Sequence, residues 1–515
     1  MDTQRNGRLR RRQFLKRAGQ FGALAMAARW MPAFATATGV TQTVQTTEGP
    51  IRGLIDDGVQ TYLGIPYAAP PVGSLRFQPP IPPQPHQGVF DAVHYGHSAM
   101  QLPSGPLAVH DYPGTLSPAL AQLYDTRGDL LTQNEDCLVL NVWAPLATGK
   151  LRPVMVWFHN GGYNQGSGSW PAFDGHNLAL HQDVIVVTVN HRLNAFGFLN
   201  LAEIGGDKYA HSGVVGQLDL VRSLEWVRDN IAAFGGDPGN VTIFGQSGGG
   251  AKVSILHNMP SAVGLFHRCI IESGAALRVG DPSKASEQAE KVLRELGISN
   301  QELSRLENMC AADIQKAVVR VGGHYGPILD VHYIPEQPFS AHASVPGANV
   351  PMIIGTTRDE ATIFEVGAES WRDMTNDDLV ARINKQFGRD HGKLLLSAYR
   401  KFYPNYSPRY LYTAIFAGRA FLASVTLAER KIAQRSGDVY LYVFAWDCPV
   451  DDGILKAPHT MDIPFVFDNV EKGPLLLGDD RSTRRLGDTM SRAWATFARS
   501  GDPNTRMIPR WKPYD

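Results

Sequence analysis

Cysteine is scarce in this chain. Four occur among 515 residues, Cys137, Cys269, Cys310 and Cys448. They lie far apart, with no C-x-x-C pair and no Cys/His zinc spacing. That spacing offers no cysteine metal site. Two disulfides are arithmetically open, but nothing in the spacing demands them. Excess charge of one sign is also lacking, since Lys and Arg number 49 and Asp and Glu 49. Without a clustered basic stripe, a nucleic-acid partner is disfavoured. Solenoid repeats, low-complexity tracts and linker-like stretches are absent. Past the N-terminus no apolar run reaches the roughly 18 residues of a membrane span. A dinucleotide-binding enzyme calls for G-x-G-x-x-G after an early strand, which the glycines around Ser247 fit poorly. What is present is 43% hydrophobic and 19% charged residues, the balance of a globular protein with a large core.

The first 37 residues differ from the rest. Arg11-Arg12-Gln13-Phe14-Leu15-Lys16 has the twin-arginine export pattern, and a weakly apolar stretch follows it. Small residues at Ala33-Phe34-Ala35 and Ala35-Thr36-Ala37 predict cleavage near Ala35 or Ala37. Arg10 stands where Ser or Thr usually precedes the pair. Residues 1–35 hold eight basic residues and one acidic. Their removal leaves 41 basic and 48 acidic residues, a net charge of about −7. The expectation is a periplasmic or secreted protein with one domain over residues 38–515. Oligomeric state is left open by the sequence.

Along that domain, apolar runs end in polar or glycine-rich turns. Val154–Phe158 leads to His159-Asn160-Gly161-Gly162, Val184–Val189 to Asn190-His191-Arg192, and Val241–Phe244 to Gly245-Gln246-Ser247-Gly248-Gly249. Val350–Ile354 leads to Gly355–Glu360, and Val439–Trp446 precedes the loop that carries His459. The runs are β-branched and aromatic and do not alternate, which predicts strands of a buried, largely parallel sheet. Between them Asp219–Phe234, Asp281–Leu296 and Thr426–Arg435 carry helical periodicity. Alternating strands and helices predict an α/β fold. Ligands then bind beyond the carboxyl ends of the strands, where all of these turns fall.

The turn around Ser247 fits the G-x-S-x-G pattern of a nucleophile elbow. In a chain with 51 glycines such a match is weak by itself, and a plain glycine turn fits equally well. A serine hydroxyl needs a base to remove its proton, and the base needs an orienting carboxylate. The chain offers Ser247, Glu360 and His459 in the order serine, acid, histidine. Gly161, Gly162 and Gly248 offer backbone N–H groups for an oxyanion. Taken singly, His459 reads as a loop histidine, Glu360 as a solvated carboxylate and Gly161-Gly162 as a turn. Joint order and placement at strand ends point to a serine hydrolase.

Further stretches extend the pattern. They are Gly64–Gly73 with Leu75-Arg76-Phe77, Glu135–Val142, and Asn190-His191-Arg192 with Phe196-Gly197-Phe198. Two more are Phe234–Pro238 and His459–Phe467. With His159–Gly162 and the elbow they make seven blocks in one order. On these the sequence resembles the type-B carboxylesterases, the family of bacterial para-nitrobenzyl esterases and cholinesterases, from about Thr43 to the C-terminus. The resemblance implies a single α/β-hydrolase domain with long insertions over the site. It implies a Ser247–His459–Glu360 triad, an acyl-serine intermediate, no metal or cofactor, backbone donors at Gly161, Gly162 and Gly248, and a small-molecule ester substrate.

The chain departs from that family at several points. Asn160 replaces the first of three oxyanion glycines. Gln246 and Gly248 replace the glutamate and alanine of the usual Gly-Glu-Ser-Ala-Gly, and Ala361 replaces a glycine after the acid. Cys137 matches a position often disulfide-bonded in secreted relatives, but its usual partner falls near Ser98–Gln101, where no cysteine stands, so a free thiol is expected. Arg127 falls where cholinesterases place a tryptophan that stacks on the choline ammonium, so choline esters are expected to be poor substrates. An amidase or carbamate hydrolase of the same chemistry is the alternative within hydrolases, and a non-catalytic binding protein on the same fold is the alternative outside them. Pocket walls are expected from Gln101–Leu131, Ala276–Pro327 and Glu365–Phe416. Tyr112, Tyr325, Trp371, Tyr403, Tyr406 and Phe416 there read equally as lining or core.

Overall fold

The apolar runs form strands of one ten-stranded sheet. A computed structural model describes residues 39–101, 115–124, 128–129, 132–147, 149–340, 349–434 and 437–515. The sheet contains β1 (Gly39–Val40), β2 (Leu54–Asp56), β3 (Val59–Pro66), β4 (Val139–Pro145) and β5 (Arg152–Phe158). It continues with β6 (Ile185–Val189), β7 (Gly236–Gln246), β8 (Arg268–Glu272), β9 (Met352–Thr357) and β10 (Val439–Phe444). The strands lie in the order β1-β2-β3-β4-β6-β5-β7-β8-β9-β10. Pairings are antiparallel from β1 to β6 and parallel from β6 through β10. The α/β class expected from the alternating runs is what forms.

Both faces of the sheet are covered, which is why its strands read as continuous apolar runs. Met155, Trp157, Phe244, Ile270 and Ile353 point into one core. Their neighbours Val154, Val156, Ile243, Ile271 and Ile354 point into the other. The period of two along each strand sorts the side chains between the layers.

Helix boundaries show where local signals were overridden. The helix expected from Asp219 runs instead as α1 over Val215–Asn230 and ends in a 3-10 turn at Ile231–Phe234. Asp219 is not its cap. Its buried carboxylate is taken by Arg192, with both oxygens bonded at 2.6 and 2.8 Å. The helix α2 (Gly248–Leu256) follows β7 directly. The expected helix at 281–296 is α3 (Pro282–Glu295), and here Asp281 does cap, accepting from the N–H groups of Ser283 and Lys284. The periodicity at 426–435 is the end of α4 (Pro408–Ala433). By length and composition α4 is apolar enough to cross a membrane, although Arg419 breaks its apolar run. It packs against β9 and β10. The helix α5 (Arg481–Ser500) brings Trp494 and Phe497 into the first core.

All four cysteines are unpaired, three of them buried and Cys310 exposed. Burial pushes the Cys269 and Cys448 thiols up to about 12 and raises that of Cys137 as well.

Candidate active site

The parallel strands end at one rim. Phe158 of β5 pairs with Gly245 of β7, Gln246 with Glu272 of β8, and Glu272 with Gly355 of β9. The residues that follow these strands are therefore neighbours: His159–Gly162, Ser247, Ser273 and the turn to Glu360.

Ser247 occupies a sharp turn between β7 and α2. Its φ of 56° and ψ of −120° lie outside the comfortable regions for a side-chain-bearing residue, at a cost of order 1–3 kcal/mol. Two hydrogen bonds hold it there: its N–H donates to the carbonyl of Glu272 at 2.8 Å, and its own carbonyl accepts from Ala251 at 2.9 Å. The glycines beside it are required by close approach. A β-carbon on Gly249 would sit 2.0 Å from the carbonyl oxygen of Phe158, and one on Gly248 would sit 2.4 Å from the Cα of Gly162. So Gly248 lies against the turn that the sequence assigned to oxyanion binding.

That turn is bent through positive φ at Gly161 (88°) and Gly162 (64°). Its carbonyls are tied on the inner side. The Asn160 oxygen meets His159 Nδ1 at 2.8 Å, the Gly161 oxygen accepts from Gln165 at 3.1 Å, and the Tyr163 oxygen accepts from Asn194 at 2.6 Å. Among the described residues the N–H groups of Gly161, Gly162 and Gly248 donate to no protein acceptor. Asn160 is wholly buried with its side-chain amide unpartnered among them.

His459 approaches from the loop after β10. Its Nδ1 is paired with Glu360 Oε2. The other Glu360 oxygen accepts the Thr357 N–H at 2.8 Å. Both side chains are nearly buried, so this geometry is fixed from two directions and leaves Nε2 as the outward nitrogen. Gln246 Nε2 lies 3.2 and 3.3 Å from the two ring nitrogens, a position beside the imidazole rather than along either lone pair. The structure thus brings Glu360 onto His459, Gln246 of the elbow beside His459, and Gly248 against Gly162.

Two further carboxylates sit behind His459. Asp462 Oδ2 accepts from the Tyr442 hydroxyl at 2.8 Å, and Glu272 Oε1 accepts from Trp494 Nε1 at 2.7 Å. Asp462 Oδ1 and Glu272 Oε2 have no partner among the described residues. Burial, then the charge of Glu360, pushes Asp462 up to about 6. Burial, then the charge of Asp462, raises Glu272 as well. The two carboxylates therefore influence each other's titration. The sequence reading named neither. The one available signal was an acid three residues after His459.

A cavity of about 630 Å³ opens beside Tyr163 and Ala251, one turn beyond Ser247, and is lined by Phe198, Ile255, Ala276 and Tyr325 among others. The expected wall at 276–327 contributes to it. Trp371 is core: it is wholly buried and donates to the Arg409 carbonyl at 3.1 Å. Tyr403 and Tyr406 stack with centroids 4.7 Å apart, and Phe416 packs on Tyr412 and Phe387. Tyr112, Arg127 and the export segment 1–37 lie outside the described residues. So the expectations placed on them stay with the sequence.

Comparison with known proteins fits this geometry. The family model of the carboxylesterase family matches residues 40–515. The chain is 36% identical over 491 residues to a para-nitrobenzyl esterase of Bacillus subtilis, covering 92% of each chain. A solved carboxylesterase of Geobacillus stearothermophilus superposes with a TM-score of 0.78 at 36% identity, over 92% of this chain and 94% of that one. A solved esterase of Clostridium hathewayi, described as hydrolysing aliphatic aromatic polyesters, superposes with a TM-score of 0.75 at 35% identity, over 93% of each chain. The sheet and its flanking helices are those of the α/β-hydrolase fold.

Proposed function

The chain belongs to the carboxylesterase family and is a carboxylic ester hydrolase, and we propose that it cleaves uncharged esters through an acyl-serine intermediate. Ser247 Oγ attacks the ester carbonyl carbon while His459 takes the hydroxyl proton. The tetrahedral oxyanion is held by the N–H groups of Gly161, Gly162 and Gly248. Collapse expels the alkoxide, which takes the proton back from His459 and leaves as alcohol. Water then attacks the acyl-serine with His459 again as base, and the acid departs. Glu360 orients the imidazole and stabilises its charged form.

The observation that supports this reading most directly is the pairing of Glu360 with His459 Nδ1, beside an elbow whose Gly248 packs against the Gly161-Gly162 turn. The test is hydrolysis of p-nitrophenyl butyrate by the protein expressed from about Thr38, beside Ser247→Ala. Turnover that falls by about 10⁴-fold or more in the variant supports it. A folded wild-type protein inert on esters of every acyl length sinks it. We further propose export by the twin-arginine route. Replacing Arg11 and Arg12 by Lys is expected to retain the protein in the cytoplasm, as read by cell fractionation.

A further inference from the structure

Lys252 lies on α2, five residues beyond Ser247, and is completely buried. The proposed chemistry does not use it. Its neighbours Ala251, Val253 and Ile255 show that the helix here has no need of charge. Burial pushes its ammonium well below the usual lysine range, and no neighbouring carboxylate counters that. A buried amine kept at such a cost has a partner that needs it.

Its partners are the two ends of one turn. Nζ donates to the carbonyl oxygen of His159 at 2.8 Å. The same nitrogen stands 5.6 Å from the centroid of the Tyr163 ring. His159 and Tyr163 flank Asn160, Gly161 and Gly162. The His159 carbonyl lies just past the end of β5, and a lysine reaching back toward the start of α2 supplies its donor. The direction fits, because side chains on a helix lean toward its N-terminus. The carbonyls of Asn160, Gly161 and Tyr163 are already held by His159, Gln165 and Asn194. Without Lys252 the peptide that opens the turn is free to rotate.

We propose that Lys252 is a positioning residue for acyl transfer: its tether to the His159 carbonyl keeps the 159–163 turn in the orientation that presents the Gly161 and Gly162 N–H groups to the oxyanion. This rests on the reading of Gly161, Gly162 and Gly248 as the oxyanion site. The interaction is made through the turn and not with the substrate. Its loss therefore weakens transition-state binding more than ground-state binding.

The test uses Lys252→Met, which keeps most of the unbranched chain and removes the donor, and Lys252→Gln, which keeps an N–H donor. The readouts are kcat and KM on p-nitrophenyl butyrate, melting temperature, and affinity for a trifluoromethyl ketone. That ketone forms a charged hemiketal on a nucleophilic serine. In Lys252→Met, kcat is expected to fall about 10- to 100-fold, below the ceiling for complete loss of one donor. KM is expected to change less than threefold, and ketone affinity to fall by the same factor as kcat/KM. Lys252→Gln is expected to recover part of the loss. A folded Lys252→Met with kcat within twofold of wild type overturns the tether, as does a loss confined to KM or one that leaves ketone affinity unchanged. If Lys252→Met does not fold, a Lys252→Gln protein whose kcat and ketone affinity fail to fall together overturns it. Wild-type protein that neither turns over the ester nor binds the ketone refutes the underlying function. Active wild type with an indifferent variant refutes only the tether.

Discussion

A β-carbon placed on Gly248 would lie 2.4 Å from the Cα of Gly162. Real contacts of that length do not occur, so the elbow and the Gly161-Gly162 turn are fitted to each other as glycine against glycine. The related family usually has alanine after the serine. Here alanine has no room unless the turn retreats.

Gly248→Ala is accordingly expected to push the Gly161-Gly162 turn away from Ser247. The expected loss in kcat is about 10- to 1000-fold, the range for a displaced oxyanion donor, with a KM change below threefold. Steady-state kinetics on p-nitrophenyl butyrate check it. Wild-type kcat in this variant would show that the turn is mobile enough to yield.

Glu360→Gln keeps an oxygen for the Thr357 N–H and removes the charge beside His459. Turnover is expected to fall by about 10⁴-fold, the scale seen when an orienting acid becomes an amide. Circular dichroism should stay unchanged, and full activity in the variant would remove Glu360 from the mechanism.

Asp462 gives a pH-dependent stability. Its folded pKa is raised to about 6, from roughly 4 in an unfolded chain. Between those values the native state binds the proton more tightly, so this group's contribution to stability falls as pH rises through the window. Asp462→Asn abolishes that titration and still accepts from Tyr442. Its stability relative to wild type is expected to grow from pH 4 to pH 8, by roughly 3 kcal/mol at most. Urea unfolding at pH 5 and pH 8 measures it. A constant difference between variant and wild type contradicts the assignment.

The thiols separate by burial. In the native protein one group, Cys310, is expected to react promptly with a small disulfide reagent, and all four after denaturation. Intact mass without reductant should show no loss of hydrogens. A disulfide involving Cys137 would contradict both the structure and the missing partner near Ser98–Gln101.

The sequence displayed the parallel half of the sheet because buried strands on both faces read as unbroken apolar runs. It hid β8, whose five residues begin with Arg268 and end with Glu272, and β3, whose register shifts between Tyr62 and Ile65. At the candidate site, the positions of the Ser247 turn, Gly161-Gly162, His459 and Glu360 were legible because each follows a strand in a fixed order. Glu272, Asp462 and Lys252 were not. Their environment comes from Trp494, Tyr442 and His159, which are remote in sequence. The start of α1 was misplaced for the same reason, since the Asp219 carboxylate is held by Arg192 inside the helix.

The order of the segments around the rim has a consequence for how this protein is made. Gln246 and His459, in contact, are 213 positions apart, and Glu360 and His459 are 99 apart. Closing such distant contacts costs chain entropy, and His459 stands beyond β10 (Val439–Phe444), near the C-terminal end of the chain. On the proposed mechanism, a nascent chain or a fragment lacking the C-terminal fifth carries the nucleophile without its base. Esterase activity in this protein is therefore a readout of completed synthesis and folding, and chains released early would be silent rather than indiscriminately reactive.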